Sequence, residues 1–520
     1  MARELLDTPL QAYKRKRADV AGPSCAASRA AATVKKRVKT STRPSTQFLL
    51  PSGKHPRGIK PAGNYLFDSA RGVRDCRKGG LGYLAYLPDE LLLDLLGQLE
   101  AADLSRLARC SQALYVFTYH DDLWRALTIN EFGTGGWGVF QNTWRNTYKY
   151  RNCVDAGRPA AYLPDVPIVV EGIYSDFLFT SFRCASVPLD ALCGASIDNI
   201  ERRSNLSYRE FVVEYAKPNK PVILTDVVSQ WPAYEKWSED YLLEHYGNKM
   251  FTAEAVRIPF RDYLSYSQNC TQDEAPLYLF DKRFAEGTSL SEDYTVPEYF
   301  KEDFFGVLGE QRPDYRWLII GPARSGSTFH VDPNSTSAWN AVISGAKKWI
   351  MYPPEVIPPG VFPSPDGSEV TAPLSLPEWF LSFYEQTKSG PSAPIEGVCR
   401  AGEILFVPRG WWHAVMNLEP SIALTQNFVS SENLREVLQF LRCRREQVSG
   451  FCDGESLYEK FTEAFEAAHP GVIADLMKKA DMRDAPKAST DEIPKPSSLW
   501  SIMNELEGES APLFSFGGDD

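Results

Sequence analysis

Histidine is scarce in this chain. Its 520 residues hold six, His55, His120, His245, His330, His413 and His469, so any histidine-based metal site must be drawn from that short list. The ten cysteines are scattered and no Cys-x-x-Cys occurs. That argues against a disulfide framework and a Cys-rich zinc module, and it suits a reducing compartment. No run approaches the ~18 uninterrupted apolar residues of a membrane helix. Residues 1–12 hold no apolar segment of the signal-peptide kind, so no membrane association is expected. There is no internal repeat. What is present is apolar mass: 43% hydrophobic and 12% aromatic residues, enough for at least one large core. At ~100–200 residues per domain the length allows roughly three or four domains.

Charge is unevenly placed. The net charge is −11, yet residues 1–60 carry 14 Lys and Arg against 3 Asp and Glu, which leaves −22 on the remaining 460. Lys14-Arg15-Lys16-Arg17 and Lys35-Lys36-Arg37-Val38-Lys39 are separated by an Ala/Ser stretch with almost no core-forming residues. Such a segment cannot bury enough apolar surface to offset chain entropy, so residues 1–80 are expected to form a disordered basic arm. Paired basic clusters point to nuclear import, with the cytoplasm as a second location; a solvating tail is the alternative. Nucleic-acid contact is expected through this arm alone, because the body is acidic.

Order is expected from about Leu81, and residues 81–150 read as a small helical domain. Leu87-Pro88-Asp89-Glu90 opens a run with helical apolar spacing at Leu91, Leu92, Leu95, Leu96 and Leu99. Pro88 suits a first helical turn, and Asp89 and Glu90 suit the positive helix N-terminus. Asp103 can cap a second helix bearing Leu104, Leu107 and Ala108. A third helical segment spans 112–127. These helices either pack on a neighbour or leave one apolar face for a partner.

After a lead-in, 151–204, the pattern changes. Over 205–430 short apolar runs alternate with Pro/Gly turns, at 222–225, 316–320, 338–343, 348–352, 404–407, 411–417 and 422–428. This reads as an antiparallel double-sheet barrel with added helices, giving an α+β fold class. Helical periodicity returns over 431–482, where Phe461, Phe465, Val472, Ile473 and Leu476 can share a face. Residues 483–520 are Pro/Ser-rich and then acidic, an expected disordered tail.

His330-Val331-Asp332 follows a strand and a Gly/Ser-rich turn at 321–328. On an extended strand, residues two apart share a face, so one imidazole and one carboxylate can bind a single ion. His413, on the run 411–417, is placed to be the third ligand. The glycines and proline at 402–410 read as a tight hairpin feeding that strand. Two histidines and one carboxylate leave three positions open on an octahedral ion. That suits Fe(II), which must take a cosubstrate and dioxygen together. A second His-x-Asp, His120-Asp121-Asp122, lies in the helical region and reads as a solvated turn. His55 falls in the arm, and His245 and His469 have no ligand-spaced neighbour.

Two resemblances follow from these residues. The helical segment resembles an F-box, on Leu87-Pro88-x-Glu90-Leu91, the Asp103-Leu104 step, Cys110-Ser111 and Leu123-Trp124. That implies docking to the Skp-type adaptor of a cullin–RING ubiquitin ligase. The barrel resembles the JmjC family of Fe(II)- and 2-oxoglutarate-dependent oxygenases. Gly402-x5-Pro408-x-Gly410-x2-His413-x3-Asn417 reproduces the second cupin motif, and the match runs from about Asn205 to Ser430. Within that family the chain is similar to the branch named arginine demethylase and lysyl-hydroxylase, formerly the phosphatidylserine receptor. The shared stretches include Pro276-Leu-Tyr-Leu-Phe-Asp281, Thr336-Ser-Ala-Trp-Asn340 and Gly410-Trp-Trp-His-Ala-Val415.

The second resemblance implies a double-stranded β-helix of jelly-roll type and a cosubstrate pocket. Its metal ligands are His330, Asp332 and His413. Lys347 matches the lysine that pairs with the distal carboxylate of 2-oxoglutarate, and a desolvated lysine is a strong point-charge partner for it. Lys348 is expected to be an exposed hairpin lysine. Tyr278 and Ser327 match hydroxyl-bearing positions, Ser327 standing where close relatives usually carry threonine. Asn340, Asn417, Thr425 and Asn427 match polar positions lining the cavity. Trp411 and Trp412 are expected to pack rather than react. Relatives assemble through the region after the barrel, so the C-terminal helices are a candidate homo-oligomer face.

The implied reaction oxidises 2-oxoglutarate to succinate and carbon dioxide while hydroxylating a C–H bond. On a lysyl carbon this leaves an alcohol; on an N-methyl group it releases formaldehyde. A Lys/Arg-rich substrate in an RNA-processing or chromatin protein is the implied target. Three readings stand: a nuclear protein oxygenase with an F-box, a ligase adaptor whose barrel serves recognition, and a chromatin demethylase of the kind that carries zinc modules and leucine-rich repeats. The full ligand set favours the first, and the absence of Cys-x-x-Cys and of repeats counts against the third.

Overall fold

Along the run Ser337–Ser344, Trp339, Ala341 and Ile343 join one buried cluster, while Ala338 and Val342 join another. This is the two-residue period of a strand buried on both faces. The computed structural model describes residues 79–158, 188–193 and 197–476, apart from short gaps at 255, 274, 365–366, 369, 374, 390–392 and 452–455. The basic arm up to residue 78, most of the lead-in and the acidic tail lie outside the described residues.

Fifteen strands are described: β1 Arg202–Arg203, β2 Val222–Leu224, β3 Met250–Ala253, β4 Val256–Pro259, β5 Leu279–Asp281, β6 Arg316–Gly321, β7 Gly326–His330, β8 Ser337–Ser344, β9 Ala346–Tyr352, β10 Phe362–Pro363, β11 Val370–Thr371, β12 Ile395–Arg400, β13 Ile404–Val407, β14 Trp412–Asn417 and β15 Ser421–Phe428. Nine form a large sheet in the order β1-β2-β13-β8-β15-β6-β5-β3-β4, and four form a smaller one, β12-β9-β14-β7. The inner faces meet in one cluster. Ala338, Val342, Leu405 and Val407 of the large sheet pack with Trp349, Met351, Cys399 and Val415 of the small one. The jelly-roll reading holds, and all seven expected strand runs are strands.

One connection differs from expectation. Residues 402–410 were expected to form a hairpin, but β13 pairs with β2 and β8 while β14 pairs with β7 and β9. The segment therefore carries the chain from one sheet to the other, with Gly410 at a φ of 72°. Glycine and proline mark a turn in a sequence; they do not say which sheet the next strand joins.

Lys348 is a second correction. It is 1% exposed rather than solvated, and its Nζ lies 2.7 Å from Glu396 Oε2 and donates to Ile197 O at 2.8 Å. It sits on β9 paired with Val398 of β12, so a covering strand and the segment before β1 replace the expected solvent. As consecutive residues of a strand that follows the turn at Gly345, φ 80°, the two lysines lie on opposite faces of β9.

The N-terminal part is helical, over Asp89–Leu96, Ala101–Leu107, Gln112–Thr118, Asp121–Phe132 and Trp144–Asp155. The expected segment 112–127 is two helices, broken at Tyr119 and His120. Pro88 is the residue before the first helix rather than in its first turn. Asp103 does not cap: the second helix begins at Ala101, and Asp103 pairs with Arg106 one turn on. Ser111 caps the third, accepting the Leu114 N–H at 3.0 Å. His120 is no solvated turn; it caps Asp121–Phe132 by accepting the Asp122 N–H on Nδ1 at 3.3 Å. Of the expected leucine face, Leu92 and Leu96 are buried, whereas Leu91 and Leu95 are 51% and 52% exposed.

The described chain up to Phe465 is one compact unit, and its main apolar cluster runs from Leu92 and Trp124 to Trp339 and Phe428 without a break. Trp144 is fully buried, with its ring 5.5 Å from Trp137, 5.1 Å from Phe140 and 5.6 Å from Tyr266. After the barrel, the expected long helical face is divided. Leu434–Cys443 buries Leu434, Val437, Leu438 and Leu441. Leu457–Ala468 then sets Phe461 against Phe305 and Phe465 against Phe304. Val472 lies beyond that helix and is exposed.

The continuous core makes one prediction. Trp144→Ala should cost about 3–5 kcal/mol, and calorimetry should show the helical segment and the barrel melting together. Two separate transitions, with the barrel's midpoint unmoved by the substitution, would show instead that the two are independent.

Candidate metal centre and cosubstrate pocket

His330 is the last residue of β7 and His413 lies on β14, directly opposite it in register. Opposed residues of paired strands share a face, and the two rings stand 4.2 Å apart. His330 Nδ1 is 2.7 Å from Thr328 O, and His413 Nδ1 is 3.0 Å from Trp411 O. A carbonyl can only accept, so each Nδ1 donates to it, and Nε2 is the nitrogen that each ring can offer to a metal. Asp332 lies two residues past β7 with extended backbone, φ −61° and ψ 143°, so it shares a side with His330 as the His-x-Asp spacing suggested. The chain turns only after it, at Pro333–Ser335, where Asn334 has a φ of 56°. One donor atom from each of the three residues lies within 4.8 Å of the others.

The donor set fits a divalent ion on independent grounds. Asp332 Oδ2 is buried with no hydrogen-bond partner among the described residues. Burial pushes the Asp332 carboxyl up to about 6, with His330 and Asn427 pulling it back. Burial also pushes the His413 imidazole well below its ordinary value, helped by the neighbouring His330. Two opposed imidazoles and a carboxylate whose Oδ2 lacks a partner among the described residues are what a metal would satisfy, leaving an octahedral ion three open positions.

The row leading away from His413 is the second half of the site. Met351, Trp349 and Lys347 of β9 stand opposite His413, Val415 and Asn417 of β14. Trp349 is thus placed between Lys347 and the histidine pair, its ring 5.7 Å from His413. Lys347 is fully buried. Its Nζ donates to Tyr278 Oη at 2.6 Å and Asn417 Oδ1 at 2.8 Å, and no carboxylate pairs with it among the described residues. Burial lowers its ammonium to about 7. Gly321 makes room for Tyr278, since a Cβ there would stand 2.5 Å from the tyrosine Cδ2.

The remaining expected residues lie around this row. Across the β7–β14 pair, His330 opposes His413 and Ser327 opposes Val415, so β7 holds one extra residue. The bulge turns Ser327 to the same side as His330. Thr425 of β15 opposes Asn340 of β8; its Oγ1 donates to Trp339 O at 2.9 Å, and Asn340 Oδ1 is buried without a partner among the described residues. Asn427 donates to Thr336 Oγ1 at 2.8 Å, next to Asp332. The structure thus joins Tyr278, Lys347 and Asn417 by direct contact and sets Ser327, Asn340, Thr425 and Asn427 around them. Two residues escaped the sequence reading. Ser325 accepts from Asn417 Nδ2 at 2.9 Å, but a serine in a Gly/Ser-rich stretch looks like turn material. Trp349 looked like strand core. Trp411 and Trp412 pack as expected, Trp411 Nε1 donating to Asn219 O at 2.8 Å.

The lysine gives a pH prediction. A carboxylate binds the ammonium form, and the empty site holds that proton only below about 7. A bound carboxylate raises the ammonium's pKa, so binding takes up a proton above that pH. Affinity for 2-oxoglutarate should be flat below pH ~7 and fall up to about tenfold per unit above it. Calorimetry of the Mn(II)-loaded protein at pH 8, in buffers of different ionisation enthalpy, reads the proton uptake directly. Lys347→Met should abolish that uptake and cost about 2–4 kcal/mol in affinity, roughly 30–1,000-fold.

Comparison with known proteins agrees with this geometry. A cupin-like domain model matches residues 208–433, and an F-box-like model matches residues 84–130. The chain is 48% identical over 465 residues to the arginine-specific demethylase JMJ22 of Arabidopsis thaliana, spanning 87% of this chain and 88% of that protein. It is 40% identical to the bifunctional arginine demethylase and lysyl-hydroxylase psr-1 of Caenorhabditis elegans, over 46% of this chain and 64% of that one. It is 28% identical to the 2-oxoglutarate and iron-dependent oxygenase JMJD4 of Gallus gallus, over 47% and 63%. With a near-full-length relative at this identity, the chain belongs to the cupin-fold JmjC family of iron- and 2-oxoglutarate-dependent oxygenases, and within that family it also carries an F-box-like domain.

Proposed function

We propose that this chain is a nuclear protein oxygenase that acts on cationic side chains, hydroxylating lysine or removing an N-methyl group from arginine or lysine. The observation that carries this reading is Lys347, a buried ammonium lacking an anion, set one residue row beyond Trp349 from two histidines whose Nε2 atoms are free. A dicarboxylate reaching from a metal on His330, Asp332 and His413 would pair with it. A barrel used only for recognition has no need of both ends. Iron with 2-oxoglutarate and dioxygen would supply decarboxylation to succinate and carbon dioxide, coupled to placing one oxygen atom in a C–H bond.

The chain's own residues do the rest. Lys347, Tyr278 and Asn417 hold the distal carboxylate. Trp349, Met351 and Val415 line the row between and exclude water. Thr328 O and Trp411 O fix the histidine tautomers. A hydroxylated lysyl carbon leaves as an alcohol, whereas a hydroxylated N-methyl group breaks its C–N bond, releasing formaldehyde and returning a proton to nitrogen. The acidic body favours a basic substrate.

We also assign the F-box-like domain a Skp-type adaptor. Support comes from the exposed Leu91 and Leu95, one turn apart, with Tyr83 and Tyr86 exposed before them. Their neighbours Leu92 and Leu96 face inward, so the helix has one apolar edge to spare.

Mass spectrometry of a Lys/Arg-rich peptide panel, methylated and unmethylated, tests the enzymatic reading. Wild type with Fe(II) and 2-oxoglutarate should add one oxygen to lysine or remove a methyl group, and His413→Ala and Lys347→Ala should fall to background. No modified peptide, with no 2-oxoglutarate consumed by iron-loaded protein, would shift the weight to an adaptor role. For docking, Leu91→Asp with Leu95→Asp should weaken adaptor binding by about 2–4 kcal/mol, roughly 30–1,000-fold. Turnover of a free peptide should stay within about twofold, since neither residue is buried. Unchanged adaptor affinity would reject this surface.

A further inference from the structure

Tyr278 holds the ammonium of Lys347, yet it lies just before β5 and no strand of its own fixes it. Its carbonyl accepts the Glu254 N–H at 3.2 Å and Leu279 pairs in β5, while both chain neighbours also bond to one helix, Phe260–Asn269. Tyr263 Oη shares its one proton between Ile320 O at 2.7 Å and Leu277 O at 3.0 Å, and accepts the Leu279 N–H at 3.2 Å. Tyr266 Oη accepts the Leu277 N–H at 2.8 Å and donates to Asp273 Oδ2 at 2.5 Å. Tyr263 thus meets both peptide groups that flank Tyr278, and Tyr266, one helical turn on, holds the peptide group just before them. Both tyrosines are fully buried.

That helix is buttressed by the segment that follows the F-box-like region. The Tyr266 ring stands 4.7 Å from Phe140 and 5.6 Å from Trp144. Thr271, just past the helix, donates to Asn142 Oδ1 at 3.2 Å. Packing alone would be served by phenylalanine at either position. A hydroxyl at both, each bonded to the backbone of a residue next to Tyr278, is more than packing requires. A hydrogen bond of 2.6 Å to an ammonium tolerates little displacement.

We propose that Tyr263 and Tyr266 are positioning residues for the distal end of the 2-oxoglutarate site, acting through Tyr278 on Lys347. This rests on the reading that Lys347 receives the distal carboxylate. Neither tyrosine touches the cosubstrate or the metal ligands. Their effect should therefore fall on one end of the ligand and spare the other.

Two ligands separate the ends. Oxalate chelates a metal but has no distal carboxylate; 2-oxoglutarate has both. Calorimetric titrations of the full Mn(II)-loaded chain compare wild type, Tyr266→Phe, Tyr263→Phe and Lys347→Ala. Each phenylalanine variant keeps its ring packing and should weaken 2-oxoglutarate about tenfold, with oxalate within about twofold. Either variant alone suffices if the other does not fold. Unchanged 2-oxoglutarate affinity in the folded variants overturns the proposal. Equal loss of both ligands also overturns it, because the hydroxyls would then support the fold in general. If Lys347→Ala binds 2-oxoglutarate as wild type does, the assignment of Lys347 itself fails and the positioning role falls with it.

Discussion

The site is organised around a buried ammonium that pairs with no carboxylate among the described residues. Lys347 is fully enclosed and meets two neutral oxygens, those of Tyr278 and Asn417. Removing a charge from water is expensive unless it is paired. The fold carries that cost with no acid beside the lysine among the described residues, and a dicarboxylate bound as proposed would offset it. On that reading, selectivity for a ligand with a second carboxylate would follow from an incomplete ion pair, and the same incompleteness would make binding sensitive to pH.

An incomplete pair demands that strand register be exact to the residue, and β9 shows how it is enforced. Lys347 and Lys348 are adjacent, and a strand sends neighbours to opposite faces. A slip of one residue would exchange them. On the outer face, Lys348 meets Glu396, both 1% exposed, with Tyr384 donating to the same carboxylate at 3.0 Å. A fully desolvated glutamate without its lysine would be heavily penalised. The ordinary buried salt bridge therefore specifies which lysine is left for the cosubstrate.

Much of this was legible in the sequence because it is written in local periods. Strands buried on both faces appear as apolar runs between turn signals, and the spacing from Gly402 to Asn417 carries His413 and the partner of Lys347 together. What could not be read depends on contacts distant in sequence. Lys348 looks solvated until β12 is laid beside it. The glycines before His413 announce a turn but not a change of sheet. Ser327 reaches the histidine face only through the extra residue in β7. Asp103 was misassigned for a local reason: a carboxylate in the first turn of a helix serves Arg106 as well as it would serve a cap.

The helical N-terminal segment complicates a modular view of the chain. Its first helix sends Leu92 and Leu96 into a core shared with the barrel and leaves Leu91 and Leu95 outside. One surface is thus available to a partner without disturbing the interior. Phe140 and Trp144, by contrast, press on the helix whose tyrosines hold the backbone around Tyr278. A partner gripping the exposed leucines would be rigidly connected to the oxygenase without contacting its reacting atoms. In a chain with one continuous core, docking and chemistry are separable by substituting surface residues and inseparable by truncation: removing the segment would also take away the packing behind the cosubstrate's distal anchor.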